Sequence, residues 1–90
     1  MIHKDSYMDS LLNKIIGETM KKYREKNNLS LEELSNKINN KVSRQTLSTY
    51  ETGRSKIKIE MFCDICEALG VKPNDMLEEI NMKYFKNSSL

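Results

Sequence analysis

Ser30-Leu31-Glu32-Glu33-Leu34-Ser35-Asn36-Lys37-Ile38-Asn39-Asn40-Lys41-Val42-Ser43-Arg44-Gln45-Thr46-Leu47-Ser48-Thr49-Tyr50-Glu51-Thr52-Gly53 is the stretch that decides the fold of this 90-residue chain. Ser30 and Glu33 stand at capping-box spacing, so the serine hydroxyl can accept from the Glu33 amide while the Glu33 carboxylate accepts from the Ser30 amide. A helix starts there. Leu31, Leu34 and Ile38 give it an apolar stripe, and Asn39-Asn40 stop it, because asparagine tolerates a left-handed turn. Ser43 caps a second helix, from Arg44 to about Thr52, which Gly53 ends. Two short helices joined by a tight turn form a helix-turn-helix pattern. The second packs through a narrow strip only, since Leu47 and Tyr50 are its large apolar residues. Its other face carries Arg44, Gln45, Ser48 and Thr49.

Further helices flank this unit. Leu11, Leu12, Ile15, Ile16, Met20 and Tyr23 recur at three- and four-residue spacing, which predicts an amphipathic helix over residues 10–26, capped by Asp9 or Ser10 and ended by Asn27-Asn28. Residues 1–9 are expected to be flexible or to extend this helix backwards. A fourth helix runs from Ile59 or Glu60 to Leu69, with Phe62, Ile65, Cys66 and Leu69 inward and Gly70 beyond its end. Pro73 and Asp75 suit the first turn of a fifth, lined by Met76, Leu77 and Ile80 and reaching Tyr84-Phe85. The expected organisation is a domain over residues 10–80, with the end of the last helix and a loose tail over 81–90. The fold class is all-α, a five-helix bundle.

Charge points to an anionic partner. Net charge is only +2, but Lys37, Lys41, Arg44, Arg54, Lys56 and Lys58 face Glu51 alone between residues 37 and 58. Between 59 and 80 the balance reverses, with Glu60, Asp64, Glu67, Asp75, Glu78 and Glu79 against Lys72. A basic segment around a helix with a spare polar face fits nucleic acid. Arginine matches the two acceptors of guanine, glutamine matches the donor–acceptor pair of adenine, and threonine offers a hydroxyl and a methyl. Arg44, Gln45, Ser48 and Thr49 are therefore candidates for base edges. The flanking lysines and Arg54 are candidates for phosphates.

The remaining signals argue against other classes. A hydrophobic share of 38% suffices for a core, while a chain of 90 residues leaves little room for a deep catalytic cleft. No apolar run is long enough to span a membrane, and no secretory signal opens the chain. The expected address is the cytoplasm. Cys63-x-x-Cys66 lies inside a helix instead of at its start, and His3 is the only other soft ligand, so neither zinc nor redox chemistry is expected. The six methionines, among them Met20, Met61, Met76 and Met82, are expected to fill the core. There is no nucleophile–base set and no glycine-rich phosphate loop. No enzyme activity, cofactor or metal is expected.

Residues 15–77 resemble the phage-repressor and Cro type of helix-turn-helix domain, the XRE family. The resemblance rests on Ile16-Gly17 through Tyr23-Arg24, Leu29-Ser30-Leu31-Glu32-Glu33-Leu34-Ser35, Val42-Ser43-Arg44-Gln45-Thr46-Leu47-Ser48-Thr49-Tyr50-Glu51-Thr52-Gly53-Arg54 and Cys66-Glu67-Ala68-Leu69-Gly70-Val71. It implies a five-helix bundle that binds operator DNA, usually as a dimer and mostly as a repressor. Carried over, it sets Arg44, Gln45 and Thr49 at base edges and Thr52 and Lys56 at phosphates, and it pairs Arg24 with Glu51. The full set of expected phosphate contacts is Lys37, Lys41, Ser43, Thr52, Arg54, Lys56 and Lys58. Three departures stand out. Leu31 replaces a glutamine that many members direct at the DNA backbone. Asn39-Asn40-Lys41 make the turn longer where members have one glycine. Ile57-Lys58 replace a Pro-Ser before the fourth helix.

The function expected from the sequence is thus specific binding of a double-stranded DNA operator by a homodimer that regulates transcription. The alternative is an antitoxin-like interaction module of the same fold, for which the acidic 59–80 segment would offer a surface to a protein partner.

Overall fold

Five helices follow in order in the computed structural model, which describes the backbone of residues 4–88 and the side chains of residues 10–86. They are α1 (Lys4–Lys26), α2 (Leu31–Lys37), α3 (Arg44–Glu51), α4 (Ile59–Ala68) and α5 (Pro73–Ser88), and the described residues contain no strand. His3, with any ligand role for it, lies outside the described residues.

The starts and stops around the two central short helices have local causes. Both halves of the capping box at Ser30 and Glu33 are formed, and the Ser43 hydroxyl accepts from the Thr46 amide at 3.2 Å. Asn28 ends the chain's first helix with φ at 58°, and Asn39 and Asn40 take φ of 58° and 57° in the turn. The start of α4 lacks a side-chain cap at Lys58; Glu60 in its first turn meets the positive end of the helix dipole instead.

The structure corrects the sequence reading at the ends of the long helices. α1 already runs from Lys4, so neither Asp9 nor Ser10 caps it, while the expected backward extension of the helix is present over residues 4–9; no glycine or proline stands between Lys4 and Ser10 to stop the helix propagating backwards. α5 includes Asn87 and Ser88, expected to be loose. Leu77 does not line the core: it is 45% exposed, because Met76 and Ile80 take the inward positions. Met82 is 67% exposed and fills no core space, unlike the fully buried Met20 and Met76.

The core gathers Ile15 and Met20 of α1, Leu34 of α2 with Ile38 after it, Leu47 of α3, Phe62, Ile65 and Cys66 of α4 with Leu69 after it, and Met76 and Ile80 of α5. Each such side chain contributes roughly 1.5–3 kcal/mol on removal from water. α1 packs against α3 and α5, α2 against α3 and α4, and α4 against α5, so each helix has two packed neighbours. Cys66 lies against Met76, sulfur to sulfur at 3.8 Å, and burial pushes its thiol up to about 11. It is a packing residue and a poor nucleophile. Cys63 is exposed and unbridged.

Glu79 ties α5 to α1. Its carboxylate accepts from the Lys22 ammonium, from the Tyr23 hydroxyl at 2.8 Å, and pairs with Lys83 at 3.3 Å. These partners, Lys22 first, hold the carboxyl down at about 2. The folded state therefore releases this proton more readily than the unfolded chain. The resulting stability is complete above the ordinary carboxylate range, about 4.3, and is lost as pH falls toward about 2. Thermal unfolding followed by circular dichroism should show the melting temperature dropping across that window. The Glu79→Gln variant should start lower at neutral pH and drop less.

Candidate nucleic-acid interface

Two contacts seat α3 on α1. The first is at Gly17, the only glycine within a helix. A Cβ there would lie 2.3 Å from the Tyr50 carbonyl oxygen and 2.5 Å from that of Glu51. The two backbones touch, so no larger residue fits. The second is the pair of Arg24 and Glu51. Arg24 donates through Nε to Glu51 Oε2 at 2.7 Å, through Nη2 to Oε1 at 2.9 Å, and through Nη1 to the Leu29 carbonyl at 2.7 Å. The side chains are only 12% and 6% exposed. Hydrogen bonding to Glu51 raises the pKa of the Arg24 guanidinium further, against the cost of burial. One planar fork thus joins the end of α1, the entry to α2 and the end of α3.

The turn before α3 is held from inside. The buried Ser35 hydroxyl donates to the Val42 carbonyl at 2.7 Å, and the Asn40 amide donates to the Ser35 carbonyl at 2.8 Å. The two left-handed asparagines absorb the extra length without breaking this clasp. After α3, Gly53 takes φ of 77°, where a Cβ would stand 2.8 Å from the Lys14 Cα.

Leu47 is fully buried and Tyr50 half-buried, whereas Arg44 and Gln45 are exposed in the first turn. Ser48 and Thr49 are half-buried one turn on, and the Thr49 hydroxyl donates to the Thr46 carbonyl at 2.7 Å. α3 has no acid in its first turn, unlike α2, α4 and α5. Its positive end is unneutralised.

The basic side chains fall into two groups. Lys37, Arg54, Lys56 and Lys58 are exposed, and like Arg44 and Gln45 they make no hydrogen bond or ion pair among the described residues. Lys41 differs: its ammonium is held by Asp64 of α4 at 3.0 Å. The Ser43 hydroxyl is committed to its cap, and the Thr52 hydroxyl donates to the Ser48 and Thr49 carbonyls at 3.1 and 3.3 Å. Either oxygen could serve an anion only weakly.

The described residues contain no cluster of His, Cys, Asp or Glu able to hold a metal, and no helix among them is long and apolar enough to cross a membrane. Sequence reasoning missed the weight of Gly17 and the partner of Lys41. The first had a signal, since a glycine inside an amphipathic helix costs roughly 1 kcal/mol and needs a reason. The second had none, because nothing in the spacing places α4 beside the turn.

The profile of the helix-turn-helix family matches residues 20–76. The chain belongs to that family, in its phage-repressor and Cro branch. Two crystal structures of the clp gene regulator ClgR from Corynebacterium glutamicum are similar in fold. One shares 27% identity at a TM-score of 0.77, over 87% of this chain and 81% of that one. The other shares 30% at 0.71, over 78% and 87%. No curated protein matches the sequence. Family and fold together describe a DNA-binding protein of the transcription-regulator kind.

Removing one partner of the buried pair leaves a desolvated charge. Glu51→Gln should destabilise the domain by on the order of 3 kcal/mol, measured by urea unfolding, while the base preference of the folded protein stays as it was. Unchanged unfolding would mean that the pair carries no net stability.

Proposed function

We propose that the protein binds a specific double-stranded DNA operator in the cytoplasm as a homodimer, and represses transcription by occupying the promoter. One observation carries this reading. α3 is anchored on one side by Leu47, Tyr50 and the Gly17 contact, and presents Arg44 and Gln45 exposed and unpaired, with exposed and unpaired Lys37, Arg54, Lys56 and Lys58 in the segments of chain that flank it. The side chains able to read bases sit at the uncompensated positive end of the helix, and those able to meet phosphates stand before and after it in the chain. In this reading α3 enters the major groove by its first turn. Arg44 and Gln45 engage base edges, Ser48 and the Thr49 methyl follow one turn deeper, and Lys37, Arg54, Lys56 and Lys58 fix the register. Ser43 and Thr52 are secondary phosphate contacts. Lys41 joins only if it leaves Asp64. Repression by occlusion needs nothing more than occupancy, and a single small domain supplies that without a cofactor.

α5 supports the dimer. Leu77, Met82 and Phe85 are 45%, 67% and 59% exposed on it. Its acids Asp75, Glu78 and Glu79 lie in the first half and Lys83 and Lys86 in the second, so two copies packed antiparallel would bring opposite charges together. α5 packs on α1 and α4, not on the face of α3 that carries Arg44 and Gln45.

Selection of bound sites from random duplexes tests the reading, and a palindromic motif would report the two-fold. Gln45→Ala should leave folding intact and cost about 1–3 kcal/mol of discrimination at one base pair per half-site, with little change in non-specific affinity. Lys56→Gln should weaken all DNA binding and flatten the salt slope by about one unit. Leu47→Ala should instead destabilise the domain by roughly 2–5 kcal/mol. If Gln45→Ala and Arg44→Ala both retain full operator preference at physiological salt, α3 reads no bases, and the antitoxin-like alternative with a protein partner takes over.

A further inference from the structure

The face that carries Arg44 and Gln45 is not polar throughout. Between the start of α2 and the first turns of α3 lies an open hollow of about 200 Å³, walled by Leu31, Arg44, Gln45 and Ser48. Leu31 is half-buried and packs in part against the core, so its position is set by the fold. The lining is mostly apolar although three of its four residues are polar or charged. Water in such a hollow finds few partners, and an apolar group that displaces it gains affinity.

The major-groove edges of DNA offer one apolar group, the C5 methyl of thymine. We propose that this hollow receives the 5-methyl of a thymine at or next to the base pair that Gln45 reads, which makes Leu31 a specificity-determining residue. The inference rests on the DNA-binding reading above and adds to it a base that is chosen by packing instead of by hydrogen bonding. It also gives the leucine at the start of α2 a role. A glutamine there would offer a hydrogen bond to the backbone; Leu31 gives that up and supplies a floor for a methyl group. The same wall would accept the methyl of 5-methylcytosine and gain nothing from uracil.

The test starts from the selected operator and replaces each thymine in turn by deoxyuridine, with affinity read by fluorescence anisotropy. One thymine per half-site should lose about fourfold on removal of its methyl, the effect of one buried methyl-sized group. At that position 5-methylcytosine should bind more tightly than cytosine. In Leu31→Gln the thymine-to-deoxyuridine ratio at this position should approach one, while Leu31→Met, which keeps an apolar wall, should preserve it. An operator whose thymines are all indifferent to the methyl overturns this assignment and leaves the DNA-binding reading standing. So does a sensitivity that survives Leu31→Gln, since it then belongs to the Thr49 methyl. If no operator is selected at all, both fall together.

Discussion

Everything that α3 presents depends on how closely it lies on α1. At Gly17 the two helices meet backbone to backbone, with Tyr50 and Glu51 carbonyls where a side chain would otherwise stand. Interior packing of this density permits little sliding. Two residues of α3 at the contact then fix the rotation of the helix: with Leu47 turned into the core, Gln45 stands on the opposite side and points outward, and Arg44 in the first turn is exposed as well. The glycine lowers the helix propensity of α1, and the helix tolerates it because its length and its two packed neighbours supply the compensation.

The buried pair solves a second problem, one of sign. Glu51 is the only acid between residues 37 and 58, and an exposed carboxylate at the end of α3 would repel the phosphates that the surrounding lysines suit. Arg24 withdraws that charge from the surface, takes both oxygens in a bidentate grip, and places its own charge out of solvent. What remains outside is positive. Asp64 acts in the opposite sense on Lys41, anchoring the lengthened turn to α4 where a shorter turn would need no such tether.

The helix-turn-helix unit was legible because its signals are local. Ser30, Glu33 and Ser43 cap within one turn of themselves, and Asn28, Asn39, Asn40 and Gly53 take left-handed backbone that few other residues accept. The helix ends that went wrong lacked such signals. Nothing at Lys4 announces a start, and the 3.6-residue period of α5 assigns Leu77 and Met76 to one stripe although adjacent residues stand about 100° apart. At the site, the residue types were readable and their engagement was not. Lys41 looks like Lys56 in sequence, yet only Lys41 has an acid across a tertiary contact, and the hollow beneath Leu31 exists only once α2 and α3 are crossed.

If α3 reads bases as proposed, the scale of base recognition favours a second copy. In the proposed reading α3 offers two exposed, unpaired side chains for base edges, each worth about 1–3 kcal/mol of discrimination, and a methyl contact adds less. A single domain therefore reaches a few kcal/mol over non-specific binding, short of much of the range of about 4–10 kcal/mol typical of specific regulators. Lengthening α3 would not help, since Thr52 and Gly53 turn the chain back toward Lys14. Doubling the proposed reader through a two-fold axis would, and the exposed apolar residues of α5 suit it, since α5 packs on α1 and α4 and not to any comparable extent on α3.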